Sequence, residues 1–383
     1  MTIEYIDKPE QLEDLCNRVK QAPWIAVDTE FLREKTYYPV FCLLQIATPD
    51  WVVCVDPIAL PDLSALFDVI NDPAIVKVLH SCRQDLEIFY KLTGEVTYPL
   101  FDTQIAAPLL GFQENPGYAM LVSSLLNVNL SKAHTRTDWT IRPLSEAQIQ
   151  YAADDVIYLC KVYKIMLQKL AELGRLDWLD NDFELLKNPE LYQVSPVNAW
   201  QKVKGKNRLT GKQLSIVQAV SKWREETAQL ENRPKNWLIR DDLLLELAKL
   251  QPETIAELGK IRSINERTAK RYGNVICQLI NEAKQKSPIS LDNKKSAKKN
   301  QQQEAVLDVL TAVVRVRADE NSLNPMILAS RKDLESLLAD EEGSHLLHGW
   351  RFSMVGKELQ GLLRGDYSLT LNSTEIILSE VND

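Results

Sequence analysis

The sequence predicts an α/β domain built on a mixed sheet, followed by two small all-α domains. Three observations carry this. Short β-branched runs alternate with helical stretches over the first hundred residues. Strand-like runs nearly stop after residue 102. From Leu209 onward the apolar spacing is purely helical.

Taken in order, "WIAVDTEF" (24–31), "CLLQIAT" (42–48) and "WVVCVDP" (51–57) are short, apolar and bounded by Pro, Asp or Asn. Three such runs in quick succession predict an antiparallel meander. "AIVKVLH" (74–80) follows a helical stretch, "LSALFDVIN", and is expected to pair in parallel. "TQIAAPLLG", "YAMLVSSLLN" and the long amphipathic "SEAQIQYAADDVIYLCKVYKIMLQKLAELG" then read as helices. Two polar, Pro/Gly/Lys-rich stretches, 188–213 and 284–303, read as linkers. They set expected domains at 1–190, 209–288 and 300–370. The last two share helical style and size, which suggests a duplicated module.

The 383 residues carry a net charge of −8. The charge is unevenly spread. Residues 1–198 balance at −12, residues 199–300 at +11 and residues 301–383 at −7. A cationic segment between two acidic ones points to a polyanionic partner. The six cysteines, Cys16, Cys42, Cys54, Cys82, Cys160 and Cys277, are scattered without a C-x-x-C pair, as in the core of a reduced protein. The four histidines do not combine with them at zinc-ligand spacing. No apolar run is long enough to span a bilayer, and the charged start lacks a signal-peptide core. A cytoplasmic protein with no membrane role and no obligatory protein partner is expected.

Asp28 and Glu30 stand one residue apart in an apolar strand, so both project from the same face. Two carboxylates placed there oppose each other, and both stay ionised only beside a basic residue or a metal ion. "HSCRQDLEIF" puts Asp85 in the first turns of a helix. "YAADDVIYL" puts Tyr151 and Asp155 four residues apart on one helical face, with Asp154 about 100° round the helix. Each feature alone fits a bland role: a helix-start acid, a surface Tyr–Asp hydrogen bond, or strand-end residues on a rim. Four acids and a tyrosine on separate elements of one α/β domain suggest a shared pocket.

The ordered set D-x-E, a later helical Asp, then Y-x-x-x-D resembles the DEDD exonucleases, tyrosine subclass. "RTDWTIRPLSEAQIQYAADDVIYL" (136–159) is similar to the ribonuclease D family within it. "NRPKNWLIRDDLLLELAKLQPETIAELGKIRSINERTAKRYGNVI" (232–276) resembles an HRDC domain, and 301–370 a diverged second copy without the basic character of the first. The resemblance implies a ribonuclease H-like sheet and 3′-5′ exoribonuclease activity on tRNA precursors and other small RNAs, releasing 5′-mononucleotides. It implies two divalent cations, Mg²⁺ or Mn²⁺, held by Asp28, Glu30, Asp85 and Asp155. Oxygen-only ligands suit those ions. Tyr151, with an ordinary pKa near 10, would orient water better than deprotonate it.

Lys132, Arg136 and Arg142 lie just before the long helix, where they are candidates for phosphate contacts. Trp139 there is a candidate to stack a base or to fill the core. His134 reads as a loop histidine and His80 as a structural one. Arg262, Arg267, Lys270 and Arg271 are the expected RNA contacts of the basic segment. Two alternatives remain at this level: a DNA exonuclease of the same superfamily, and a non-catalytic RNA-binding protein. A lost acid would favour the latter, and none is lost.

Overall fold

The structure, a computed structural model, describes residues 2–60, 62–131, 137–289, 300–339 and 344–381. The chain opens with β1 (Ile3–Ile6), α1 (Pro9–Val19), β2 (Trp24–Leu32), β3 (Val40–Ala47) and β4 (Val52–Val55). It continues with α2 (Ser64–Ile70), β5 (Val76–Leu79), α3 (Arg83–Thr93), β6 (Leu100–Asp102), α4 (Thr103–Ala106) and α5 (Tyr118–Leu126). The 27-residue α6 (Glu146–Glu172) and the short α7 (Asp180–Leu185) complete the first domain.

Among the described residues the first domain forms one sheet in the order β1-β4-β3-β2-β5-β6. β2, β3 and β4 make the antiparallel meander, while β5 pairs in parallel with β2. The parallel edge strands β1 and β6, of four and three residues, were not read from the sequence; they are too short for a periodic signal. Every residue of β4, and residues 42–47 of β3, are buried in succession. Both faces of the sheet are therefore covered, as a continuous apolar run requires. α6 lies across one face, touching β1 to β5, and in a second group α2 touches both α1 and α3. The six cysteines are free and buried.

The helical half begins with α8 (Lys212–Leu230), α9 (Lys235–Leu238), α10 (Asp241–Leu250), α11 (Ile255–Leu258) and α12 (Glu266–Gln285). α13 (Gln301–Glu320), α14 (Pro325–Leu328), α15 (Arg331–Leu338), α16 (Gly349–Arg351) and α17 (Lys357–Arg364) follow. The two helical segments share a register. The starts of α9 and α10, at 235 and 241, reappear 90 residues later at 325 and 331. The turn after each long helix contains a left-handed residue at equivalent places, Asn232 (φ 46°) and Ser322 (φ 51°). The third segment ends in a hairpin, β7 (Tyr367–Asn372) with β8 (Glu375–Glu380), which extends it beyond residue 370.

The two helical segments relate differently to the first domain. Residues from Val203 to Ala283 build a core of their own. The core of the third segment, from Leu307 to Leu359, is continuous with that of the first domain. Trp178 and Trp350 stack with ring centroids 4.5 Å apart, and the Arg175 guanidinium donates to the carbonyls of Leu109 and Asn321 at 2.7 Å each. Gly111, at φ 89°, lies so close to the Ser322 carbonyl that a Cβ would stand 2.9 Å from it.

Candidate active site

β2 is the sheet's inner strand between β3 and β5, and its alternation aims Asp28 and Glu30 to one side. Thr29, on the other side, donates its hydroxyl to the Asp85 carboxylate. Asp85 occupies the first turn of α3, directly after the β5–α3 turn. That turn is clamped from β6: the Asp102 carboxylate accepts the backbone N–H groups of Ser81 and Cys82 at 3.0 and 2.8 Å, and also caps α4 through Gln104. α6 starts on a capping box between Ser145 and Gln148, which fixes its first turns. Tyr151 and Asp155 then line one cavity of about 250 Å³ with Leu130, Ser131, Gln150 and Asp154. Asp154 accepts the Gln150 side-chain amide at 2.8 Å.

The four acids act on one another. Burial pushes the Asp28 carboxyl far above the ordinary range, with Asp155 adding to it. Burial, then the charges of Asp28, Asp155 and Asp85, lifts Glu30 to about 9. Asp85 is raised by burial and by Asp28, while Thr29 opposes the shift. Asp155 rises to about 7 through burial and its neighbour Asp154. Among the described residues no three such ligands are gathered as tightly as a bound ion would hold them. The set is all oxygen, mutually repelling and largely buried, a donor chemistry that would suit a hard divalent cation.

The structure decides one open reading, that of Trp139, for the core, and corrects one expected substrate contact, Arg142. Trp139 is only 3% exposed and sits in the core, its ring 6.2 Å from that of Tyr151, so it supports the tyrosine from beneath instead of facing a base. Arg142 is spent on the protein itself. It forks onto Asp56 at 2.6 and 2.8 Å and donates to the Cys42, Trp139 and Ile141 carbonyls. Burial pushes Asp56 up, but Arg142, Tyr5 and the Ile58 amide outweigh it and hold the carboxyl below its usual range. Lys132, His134 and Arg136 lie outside the described residues. In the basic segment Arg267 and Arg271 line one groove, whereas Arg262 and Lys270 are exposed outside its lining. His80 bonds Thr103 at 2.9 Å, and its ring lies tilted against that of Tyr118, centroids 5.2 Å apart.

Sequence reasoning missed Thr29, Asp102 and Tyr118. The Tyr118 hydroxyl donates to the main-chain carbonyl of Asp155, tying α5 to the turn of α6 that carries Tyr151 and Asp155. Asp102 carried a usable signal, an Asp directly before "TQIA" in the N-cap position. Tyr118 carried none, because its partner is 37 residues away.

A mixed sheet with D-x-E on an inner strand and two more acids on the helices around it is the framework of a DEDD 3′-5′ exonuclease. A 3′-5′ exonuclease family model matches residues 3–171, and an HRDC domain model matches residues 213–280. Ribonuclease D of Gluconacetobacter diazotrophicus is 36% identical over 97% of this chain and 95% of its own length. Ribonuclease D of Granulibacter bethesdensis is 35% identical, with the same coverage. The crystal structure of Escherichia coli RNase D, an exoribonuclease involved in structured RNA processing, superposes with a TM-score of 0.82 at 28% identity, covering 95% of this chain and 99% of that one. The chain belongs to the ribonuclease D family and is a 3′-5′ exoribonuclease. No helix among the described residues is long and apolar enough to cross a membrane.

Proposed function

We propose that this exoribonuclease trims the 3′ ends of structured RNAs, tRNA precursors among them, and that Asp28, Glu30, Asp85 and Asp155 hold two divalent cations, Mg²⁺ or Mn²⁺. One observation carries the metal reading. Four carboxylates share a site in which the charges acting on each are those of other acids. When bound, such ions would offset that charge, activate water and stabilise the departing 3′ oxygen. Tyr151, on the cavity wall one helical turn before Asp155, orients the attacking water through its hydroxyl. Tyr118 and the Ser145 cap hold the α6 turn that presents both groups. The structured-RNA reading is supported by the likeness to the Escherichia coli enzyme and by the helical modules joined to the catalytic domain. The 90-residue register supports reading the third segment as a second HRDC-like module.

The test compares a tRNA bearing extra 3′ nucleotides with a blunt RNA duplex and a matched DNA, each with Mg²⁺ and with EDTA. Stepwise release of 5′-mononucleotides from the tRNA tail, stopping near the acceptor stem and absent in EDTA, is expected. Equal degradation of the blunt duplex would remove the preference for a free tail. Hydrolysis in EDTA would remove the metal assignment.

A further inference from the structure

We propose that Gln45 is a positioning residue for Asp28: with a divalent cation bound, its side-chain amide donates to the Asp28 carboxylate and fixes how that ligand faces the ion. The inference rests on the metal reading above and adds to it a residue outside the four acids.

Gln45 stands inside β3, where residues 42–47 are buried in succession. It is 0% exposed, and neither its Oε1 nor its Nε2 has a hydrogen-bond partner among the described residues. No other described side chain buries two unpartnered polar atoms. A valine, isoleucine or leucine would fill this inner strand without desolvating an amide, so the glutamine works against the stability of the sheet. Its place in the sheet shows what it can serve. Gln45 is paired with Asp28 of β2 on one side and with Cys54 of β4 on the other. Residues paired across strands share a face, with Cβ atoms about 4.5–5.5 Å apart, a gap that an amide on a two-carbon stem can bridge. The Cys54 thiol faces the Ile149 carbonyl, so this face is covered by the stretch of α6 that leads into Tyr151 and Asp155.

The unpartnered donor thus lies beside an acid that lacks support. Asp85 receives the Thr29 hydroxyl, and the turn of Asp155 is held by Tyr118. At Asp28 the only hydrogen-bond donor acting on the carboxyl among the described residues is the adjacent Thr29 N–H. A carboxylate that holds a cation is ionised, accepts at both oxygens and donates nothing. One ion and one amide N–H leave part of that capacity unused, and the Gln45 Nε2 is the buried donor alongside. Carboxylates that ligate metals are themselves hydrogen-bonded, which sets their orientation. The competing role is purely structural, a polar residue that fixes strand register. The two roles differ in sign: a structural amide adds to the metal-free stability, whereas one kept for a ligand lowers it.

The test uses the full chain with Gln45→Met and Gln45→Leu, which keep apolar bulk and remove the amide, and with Cys54→Ala as a control on the same face. Thermal unfolding in EDTA reads the metal-free fold. Calorimetric titration with Mn²⁺, without RNA, reads the ligand set. Gln45→Met should keep or raise the Tm in EDTA and weaken Mn²⁺ binding about tenfold or more, the usual effect of losing a hydrogen bond behind a metal ligand. Its hydrolysis should recover toward the wild-type kcat as Mn²⁺ is raised. Cys54→Ala should lower the Tm and leave Mn²⁺ affinity within about twofold. A lower metal-free Tm in both Gln45 variants, or wild-type Mn²⁺ affinity in both, would overturn the proposal. So would an equal loss of affinity in Cys54→Ala. A wild-type chain that takes up no Mn²⁺ and hydrolyses RNA in EDTA would instead refute the metal reading itself, and this inference with it.

Discussion

The protein alone does not offset a negative charge on Asp28, so burial and Asp155 push its carboxyl up. Burial and neighbouring acids likewise lift Glu30 to about 9 and Asp155 to about 7. In the unfolded chain these groups titrate near 4. The metal-free folded protein therefore holds protons that the unfolded chain releases. That contribution to stability is complete below about pH 4 and is lost as pH rises through 7 toward 9. Metal-free thermal unfolding should accordingly show a Tm that falls between pH 6 and 9. Asp28→Asn should abolish hydrolysis and keep or raise the metal-free Tm at pH 8. Substantial turnover by this variant at saturating Mg²⁺ would contradict the ligand role, and a lower Tm would reveal a structural partner for the carboxylate. Tyr151→Phe removes one hydroxyl and keeps the ring above Trp139. Its kcat should drop on the order of 10–10³-fold with little change in the metal concentration needed. A wild-type kcat would leave Tyr151 as packing.

Elements were legible where a local period expresses them. β2, β3 and β4 announced themselves as apolar runs, and the alternation within β2 alone placed Asp28 and Glu30 on one face. The Tyr151–Asp155 pair followed from the helical period of α6. What stayed hidden depends on partners far off in sequence. Arg142 looked like a free cation in a loop, but its fate is set by Asp56, 86 residues earlier. Trp139 could not be divided between stacking and core until the Tyr151 ring was in place. Asp102 shows how such remote bonds build the site. It is 2% exposed and accepts three backbone N–H groups, two from the turn that launches α3 with Asp85. Asp102→Ala strands those donors, which should cost on the order of 3 kcal/mol in urea unfolding. It should also reduce kcat more than it changes KM, because Asp85 loses its aim. Unchanged kcat in the folded fraction would mean that Thr29 alone fixes Asp85.

In the molecule as a whole the order of segments in sequence differs from their order of attachment. The middle module, cationic and with its own core, meets the catalytic domain through polar contacts such as Asn232 with Tyr37 and Tyr38. The third segment, farther along the chain and acidic, shares the catalytic domain's apolar core. Deleting everything after residue 198 would therefore expose that core as well as remove the cationic surface. Loss of RNA affinity in such a truncation would not by itself assign the contact to the cationic module. The shared core makes its own prediction. Trp350 is 8% exposed and stacks flat on Trp178 at an interplanar angle of 2°. Trp350→Ala opens a cavity at this junction and should cost roughly 3 kcal/mol, the low end for truncating a large buried aromatic. Because the core is continuous, the loss should move the unfolding transition that also reports on the catalytic domain. That transition can be followed by urea titration, with hydrolysis as the probe of the remaining folded site. If the third segment is instead a separate folding unit, Trp350→Ala will add an early transition and leave the catalytic midpoint where it was. That outcome would overturn the single-core description.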